Sequence, residues 1–383
     1  MNRSHRAQKT NLKGFSLKEL QDFVESLGEK KFRARQLFTW IYAKRAKSFD
    51  EMSDISIDFR SLLTQTASLE ALEAARTQVS SSDGTVKFLF RLSDGLMIES
   101  VLIPAETDSP GAEKRLTLCV STQVGCPLDC KFCATGTMGF FRNLTTGEIL
   151  DQVLQAQQLS PKRITNLVYM GMGEPMLNYD NVMKSIDLIT DDHGLNIGAR
   201  RITVSTAGYA DRIRQMADEG RKTKLALSLH AVDDEKRSAL MPINRKYNVG
   251  TLLTALEYYY KKTRRRPTIE YILFEGFNDT DQDIMRLREI SKRVPCKVNL
   301  IPFHSIAFTH PGGIADTLRP APRHRIEEFA RKLRAGNLTV MIRSSSGEDI
   351  DAACGQLAVD EQQRIAKPLG VPHSIDRSLP SVV

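Results

Sequence analysis

Three cysteines, Cys126, Cys130 and Cys133, stand at C-x3-C-x2-C in "VGCPLDCKFCATG", within a chain of 383 residues that has six cysteines in all. Thiols this close in sequence bind metal or do redox chemistry, and three are one short of a closed tetrahedral site. Cys119, in "LTLCVS", would complete a structural zinc site, but it lies in an apolar run, and no second CxxC or histidine pair is near. A cubane iron–sulfur cluster has four irons, so three cysteine ligands leave one iron open to a substrate or cofactor. Spacing alone leaves both zinc and a cluster standing.

The rest of the composition narrows the setting. Lys and Arg number 54 against 46 Asp and Glu, a formal charge of +8. Such an excess favours a polyanionic partner, although a solvated surface explains it as well. No apolar run approaches a membrane span, and the basic start "MNRSHRAQKTNLKG" has no apolar stretch behind it, so neither membrane segment nor signal peptide is expected. The expected compartment is the cytoplasm, where clustered cysteines stay reduced.

The elements that must position the cysteines are set by periodicity. Up to about residue 63 the pattern is helical. "SLKELQDFVESLG" opens with a Ser cap and sets Leu17, Leu20, Phe23, Val24 and Leu27 on one face. "KKFRARQLFTWIYAKRAKSF" is expected to turn Phe32, Leu37, Phe38 and Ile41 inward, leaving Lys30, Lys31, Arg33, Arg35, Lys44, Arg45 and Lys47 as a basic outer surface. A surface of that kind suits a nucleic-acid backbone or serves only for solubility. "TVKFLFRLSDGLMIESVLIP" alternates on both sides of Asp94-Gly95 and reads as a hairpin.

From Leu116 onward short apolar strands alternate with helical segments. The strands are "LTLCVS", "TNLVYMG", "ITVST", "LALSLH", "IEYILF" and "KVNLIPF", with "LTVMIR" as a late addition. "TTGEILDQVLQAQQL" and "NYDNVMKSIDLIT" are two of the intervening helices. This alternation means βαβ units and a parallel sheet. Six units fall short of a closed eight-stranded barrel, so an α/β partial (βα)6 barrel or open sheet is expected, with ligands at the carboxyl ends of its strands. The expected organisation is a helical domain over 1–75, a β-hairpin linker over 76–110, the partial barrel over 111–358 and a weakly ordered tail over 359–383. There is no internal repeat.

"CPLDCKFCATG" set in a parallel β/α pattern resembles the radical S-adenosylmethionine (SAM) superfamily. The resemblance implies a [4Fe-4S] cluster on Cys126, Cys130 and Cys133, whose open iron takes the amino and carboxylate groups of SAM. "MGMGEP" resembles that superfamily's Gly-Glu-Pro segment, which implies that Gly173 and Glu174 hold the SAM amino group. Two glycines before a Glu would otherwise mark any tight turn.

"TLCVSTQVGCPLDCKFCATGTMGFFRNLTTGEI", "GMGEPMLN", "LALSLHA" and "DIDAACGQL" together resemble the RlmN-type RNA methyltransferases, from about residue 12 to 358. That resemblance implies an enzyme that places a methyl group on C2 of an adenosine in 23S rRNA and in tRNA, with N-terminal helices that contact the RNA. Adenine C2 is an electron-poor carbon that cannot attack a SAM methyl group directly, so the implied route is a radical one, at two SAM per methyl. The resemblance further implies that Cys354 carries the methyl group, that Cys119 resolves the adduct through a transient disulfide with Cys354, and that Glu99 is the general base.

Ser205, Ser228, Leu229, His230 and His304 match family positions that contact SAM. His304 departs from the family pattern, where Asn is common. Without the resemblance, Cys354 reads as a small buried hydrophobe, Glu99 as a solvated hairpin residue, and His230 equally as a satisfied core histidine. Cys296 matches no family role and reads as packing. The rival activities are C8 methylation of adenosine and, in another class, a zinc-stabilised RNA-binding protein without catalysis. An electron donor such as a flavodoxin is expected as a partner, and the chain is expected to be a monomer away from membranes.

Overall fold

The structure is a computed structural model that describes residues 9–105, 115–343 and 345–350. Ten strands lie side by side in the order of the sequence. They are β1 (Glu73–Val79), β2 (Val86–Arg91), β3 (Met97–Pro104), β4 (Leu116–Cys119) and β5 (Asn166–Tyr169), followed by β6 (Ile202–Thr206), β7 (Lys224–Ser228), β8 (Thr268–Leu273), β9 (Lys297–Pro302) and β10 (Thr339–Ile342). From β4 to β10 every neighbour is parallel. β1 to β4 are joined antiparallel. Among the described residues β1 and β10 are not paired, so the sheet stays open, as six or seven βα units require.

The hairpin is therefore not a separate linker but two strands of the main sheet. Its turn holds Gly95 at φ +84, and Leu92 N–H donates to Leu96 O at 2.8 Å. β1 crosses residues 75 and 76, where the sequence placed a boundary between domains.

Alternation gives the sheet two unlike faces. Leu118, Leu167, Tyr169, Val204, Leu225, Leu227, Ile269, Tyr271 and Leu300 are all buried. They meet the crossover helices, which right-handed βαβ connections place on one side of a sequentially ordered sheet. Tyr169 shares a 2.7 Å hydrogen bond with Ser185 of helix Tyr179–Thr190, and Tyr271 stacks on Phe329 of helix Arg323–Arg334 at 6.0 Å. Each large apolar side chain buried in this way contributes about 1.5–3 kcal/mol. The opposite, inner face carries Lys87, Glu99, Cys119, Thr203, Ser205, Ser228, Glu270 and Asn299. Stability resides on one face, which leaves the other free for chemistry.

The N-terminal domain docks on the helix side. Ser16 and Glu19 form a reciprocal cap on helix Leu17–Ser26. Helix Phe32–Phe38 runs into a π turn at Thr39–Ala43, and Ala34, Leu37, Phe38, Ile41 and Tyr42 are buried at helical spacing. Phe32 is not part of that stripe. It is 56% exposed, against the sequence expectation, because five or six residues before Leu37 and Phe38 a helix faces another way. A buried ion pair, Lys13 Nζ to Asp151 at 2.5 Å, fastens the domain to helix Thr146–Leu159, and Asp151 also accepts the Leu72 N–H. Among the described residues no helix is long and apolar enough to cross a membrane.

Candidate active site

The cysteine loop leaves β4 through a short strand, Gln123–Gly125, paired antiparallel with Phe140–Asn143. Gly125 has φ +73, and a Cβ there would run into the Gly139 carbonyl oxygen that accepts the Cys126 N–H at 2.8 Å. Lys131 N–H donates to Leu240 O at 2.9 Å, which rests the loop on helix Asp234–Leu240. Phe132 packs edge-on against His230, with ring centroids 4.8 Å apart.

Burial pushes the Cys126 and Cys130 thiols well above their ordinary range, and mutual repulsion with the other thiols of the triplet and with Glu174 adds to it. Ionised, this triplet requires positive charge. Cys119 lies apart from it, opposite Val101 and Val168 in the sheet. Burial raises its thiol to about 11; the Arg343 guanidinium opposes the rise and Glu99 adds to it. Among the described residues no three thiol, imidazole or carboxylate groups converge as the ligands of one ion would. That holds for zinc and for a cluster alike; what separates the two is Cys119, which sits in the sheet away from the loop and does not supply the triplet with a fourth ligand. Three half-buried thiols on one loop, repelling one another and lacking a fourth, fit a cationic iron–sulfur core that keeps one iron open.

Beside the loop, the turn after β5 builds a carboxylate cradle. Gly173 sits at φ +93, where a Cβ would collide with the Gln123 side chain. Glu174 N–H donates to Gln123 Oε1 at 2.8 Å, and the Glu174 carboxylate accepts Met176 N–H at 3.0 Å and Ala207 N–H at 2.7 Å. Burial pushes this carboxyl up to about 7, against the pull of those two backbone donors. A carboxyl poised near neutrality in a buried site ionises when a cation such as an ammonium arrives.

The next strand ends complete the rim. Ser205 and Ser228 bring their hydroxyls to 3.5 Å. Leu229 is fully buried and its N–H donates to Glu270 O at 3.1 Å. His230, at φ +56, accepts the Ile272 N–H on Nδ1 at 3.1 Å. Its imidazole is held neutral, down at about 3, by burial and by the Arg237 cation. His230 is thus a satisfied buried histidine at the end of β7. His304 follows β9 and is exposed. Cys354 lies outside the described residues. Cys296 is buried, as packing requires.

On the inner face, Glu99 of β3 and Cys119 of β4 are near neighbours, since Val101 lies opposite Cys119. Ser121 ties this corner together, its Oγ donating to Glu99 O at 2.6 Å and accepting Met172 N–H at 2.9 Å. Several polar residues escaped sequence reasoning. Lys87 lies 3.9 Å from Glu99 with both side chains buried. Asn299 donates to Glu270 at 2.7 Å. Arg237 is fully buried and donates to Ala207 O, Leu229 O and Asn244 Oδ1 beneath the cysteine loop. The signal for the strand residues was available: each polar residue stands between apolar ones, as in "TVKFLF", "TIEYIL" and "KVNLIP". That is alternation with chemistry on the inward side.

Comparison with known proteins bears on this arrangement. Residues 120–288 match the model of the radical SAM superfamily, and residues 10–69 match that of the ribosomal RNA large subunit methyltransferase N-terminal domain. The chain is 44% identical over 358 residues to a protein of Cytophaga hutchinsonii named "Probable dual-specificity RNA methyltransferase RlmN", covering 92% of this chain and 94% of that one. It is 46% identical over 358 residues to a protein of Thermotoga neapolitana with the same name, covering 94% of this chain and 99% of that one. The crystal structure of a radical SAM methyltransferase from Sphaerobacter thermophilus superposes with a TM-score of 0.82 at 40% identity, covering 91% of this chain and 98% of that one.

Proposed function

This chain belongs to the RlmN family of radical SAM RNA methyltransferases, and we propose that it methylates C2 of an adenosine in 23S rRNA and in tRNA. The observation that carries the reading is one shared face: Glu99 and Cys119 sit together on the inner side of the sheet, at the strand from which the loop of Cys126, Cys130 and Cys133 departs. When bound, the cluster and SAM supply an organic radical that removes hydrogen from an unactivated methyl group.

The chain's own residues do the rest. Cys126, Cys130 and Cys133 hold the cluster. Glu174 takes the SAM ammonium, with Gly173 allowing the close approach, and Ser205, Ser228, Leu229 and His230 line the remainder of the SAM site, with His304 at its exposed edge. Cys354 carries the methyl group into the site. Glu99 takes the C2 proton once the new carbon–carbon bond exists. Once the adduct has returned its unpaired electron to the bound redox centre, Cys119, protonated at rest because burial holds its thiol near 11, gives up its proton and bonds to the Cys354 sulfur as the carbon–sulfur bond breaks, and the released carbon takes a proton to become the methyl group. A dithiol reductant and a one-electron donor such as a flavodoxin restore the enzyme, which acts as a cytoplasmic monomer.

Nucleoside mass spectrometry of RNA after anaerobic incubation with SAM and reductant tests this. 2-Methyladenosine is the expected product. Finding 8-methyladenosine instead, or no methylated adenosine, would overturn the proposed regiochemistry or the substrate assignment.

A further inference from the structure

We propose that Lys87 is a positioning residue for proton removal, whose ammonium keeps the Glu99 carboxylate ionised and ready to accept. The proposal rests on the reading of Glu99 as the base.

Lys87 Nζ lies 3.9 Å from Glu99 Oε1, with the two side chains 1% and 4% exposed. In the β2–β3 ladder Lys87 opposes Val101 and Leu89 opposes Glu99, so the two charged residues are diagonal neighbours on the inner face. One strand further on, Val101 opposes Cys119. The face thus runs from a cation to a carboxylate to a thiol. The groups that act on Glu99 include Lys87 from β2 and the Cys119 thiol from β4, while the Met172 sulfur accepts the Glu99 N–H from the loop after β5. Arg343 acts on Cys119 from beyond β10.

A lysine at this depth needs a reason. Burying an ammonium is costly, and an apolar residue in place of a buried ion pair is often neutral or stabilising. Stability therefore does not explain Lys87 beside Glu99. Chemistry does. Burial pushes a carboxyl group toward its protonated form, in which it accepts no further proton. An opposite charge within reach lowers a carboxyl pKa by about one to three units, enough to restore a base at neutral pH. At 3.9 Å the pair is wider than a hydrogen bond, so the cation acts on Glu99 through its charge.

The test uses full-length, cluster-loaded protein under anaerobic conditions, comparing wild type, Lys87→Met, Lys87→Arg and Glu99→Gln. The acid limb of the single-turnover methylation profile should move up by about one to three pH units in Lys87→Met and stay in place in Lys87→Arg. Infrared difference spectra at neutral pH should show a new protonated-carboxyl band in Lys87→Met that disappears when Glu99→Gln is added. Should Lys87→Met not accumulate as folded protein, Lys87→Gln carries the same two expectations. A folded, uncharged variant with the acid limb unmoved and no new band overturns the proposal. Full methylation by Glu99→Gln would instead sink the reading of Glu99 as the base, whatever Lys87 does.

Discussion

Arg237→Met tests whether the strand ends around the SAM site are held from beneath. Arg237 is fully buried and donates to Ala207 O at 2.5 Å, Asn244 Oδ1 at 2.8 Å and Leu229 O at 3.1 Å, with longer bonds to Ser228 O at 3.3 Å and Tyr247 O at 3.4 Å. Methionine fills the space but donates nothing. Losing three short bonds at about 1 kcal/mol net each, and stranding their carbonyls, puts the cost at about 3–5 kcal/mol. At roughly 2.1 cal/mol/K per residue of unfolding entropy over this chain, the midpoint should fall by about 4–6 °C.

The functional consequence comes through Ala207, whose carbonyl is held by Arg237 and whose N–H is held by Glu174. Loosening that residue disturbs the carboxylate proposed to take the SAM ammonium. SAM affinity should fall about tenfold, equivalent to about 1.4 kcal/mol. Arg237→Lys, which keeps the charge but lacks the planar fork, should fall in between. The assays are thermal unfolding and equilibrium SAM titration of anaerobically reconstituted protein. A midpoint within about 1 °C of wild type together with unchanged SAM affinity would refute the reasoning.

Further predictions concern separate parts of the molecule. Glu174 is raised from 4.5 to about 7 in the folded chain, so the unfolded state loses its proton first and stability should decline as pH rises from 4.5 through about 7, by up to about 3 kcal/mol. His230, lowered from 6.5 to about 3, works the opposite way as pH falls below 6.5, so the difference between wild-type and Glu174→Gln unfolding curves isolates the Glu174 contribution; curves that stay parallel across pH 4.5–7 would contradict it. Lys13→Met strands the buried Asp151 carboxylate and should cost about 3–5 kcal/mol in chemical denaturation, with less than about 1 kcal/mol arguing against the docking role. Arg33→Ala with Arg35→Ala should weaken RNA binding and flatten its salt dependence while SAM cleavage persists, and an unchanged salt slope would remove the helical surface from the RNA footprint. Cys119→Ala should accumulate RNA joined covalently to Cys354; normal turnover without that adduct would exclude the two-thiol route.

The fold was legible where alternation was strong. Strands β4 to β10 fall within two residues of their apolar runs, because each has a helix-covered face that must be apolar. β1 was not legible, since "EAARTQV" is an edge strand with one half-buried residue and the rest exposed, which leaves no apolar face to read. Phe32 misled because the period shared by Leu37, Phe38 and Ile41 was extended back to it, whereas its own helical phase points it outward. The cysteine loop, Gly173 and Glu174 were readable as contiguous motifs. Lys87 with Glu99, Glu270 with Asn299, and Arg237 with Ala207 were not, because pairing across strands depends on register between segments distant in the chain.

The central claim is tested most directly by the isotopic composition of the methyl group delivered from SAM carrying a trideuterated methyl. A route in which the parked methyl group loses one hydrogen before joining adenine must give 2-methyladenosine with two deuterium atoms, the third position refilled from solvent. A product that keeps all three would mean direct polar transfer and would contradict the assignment of Cys354, Cys119 and Glu99.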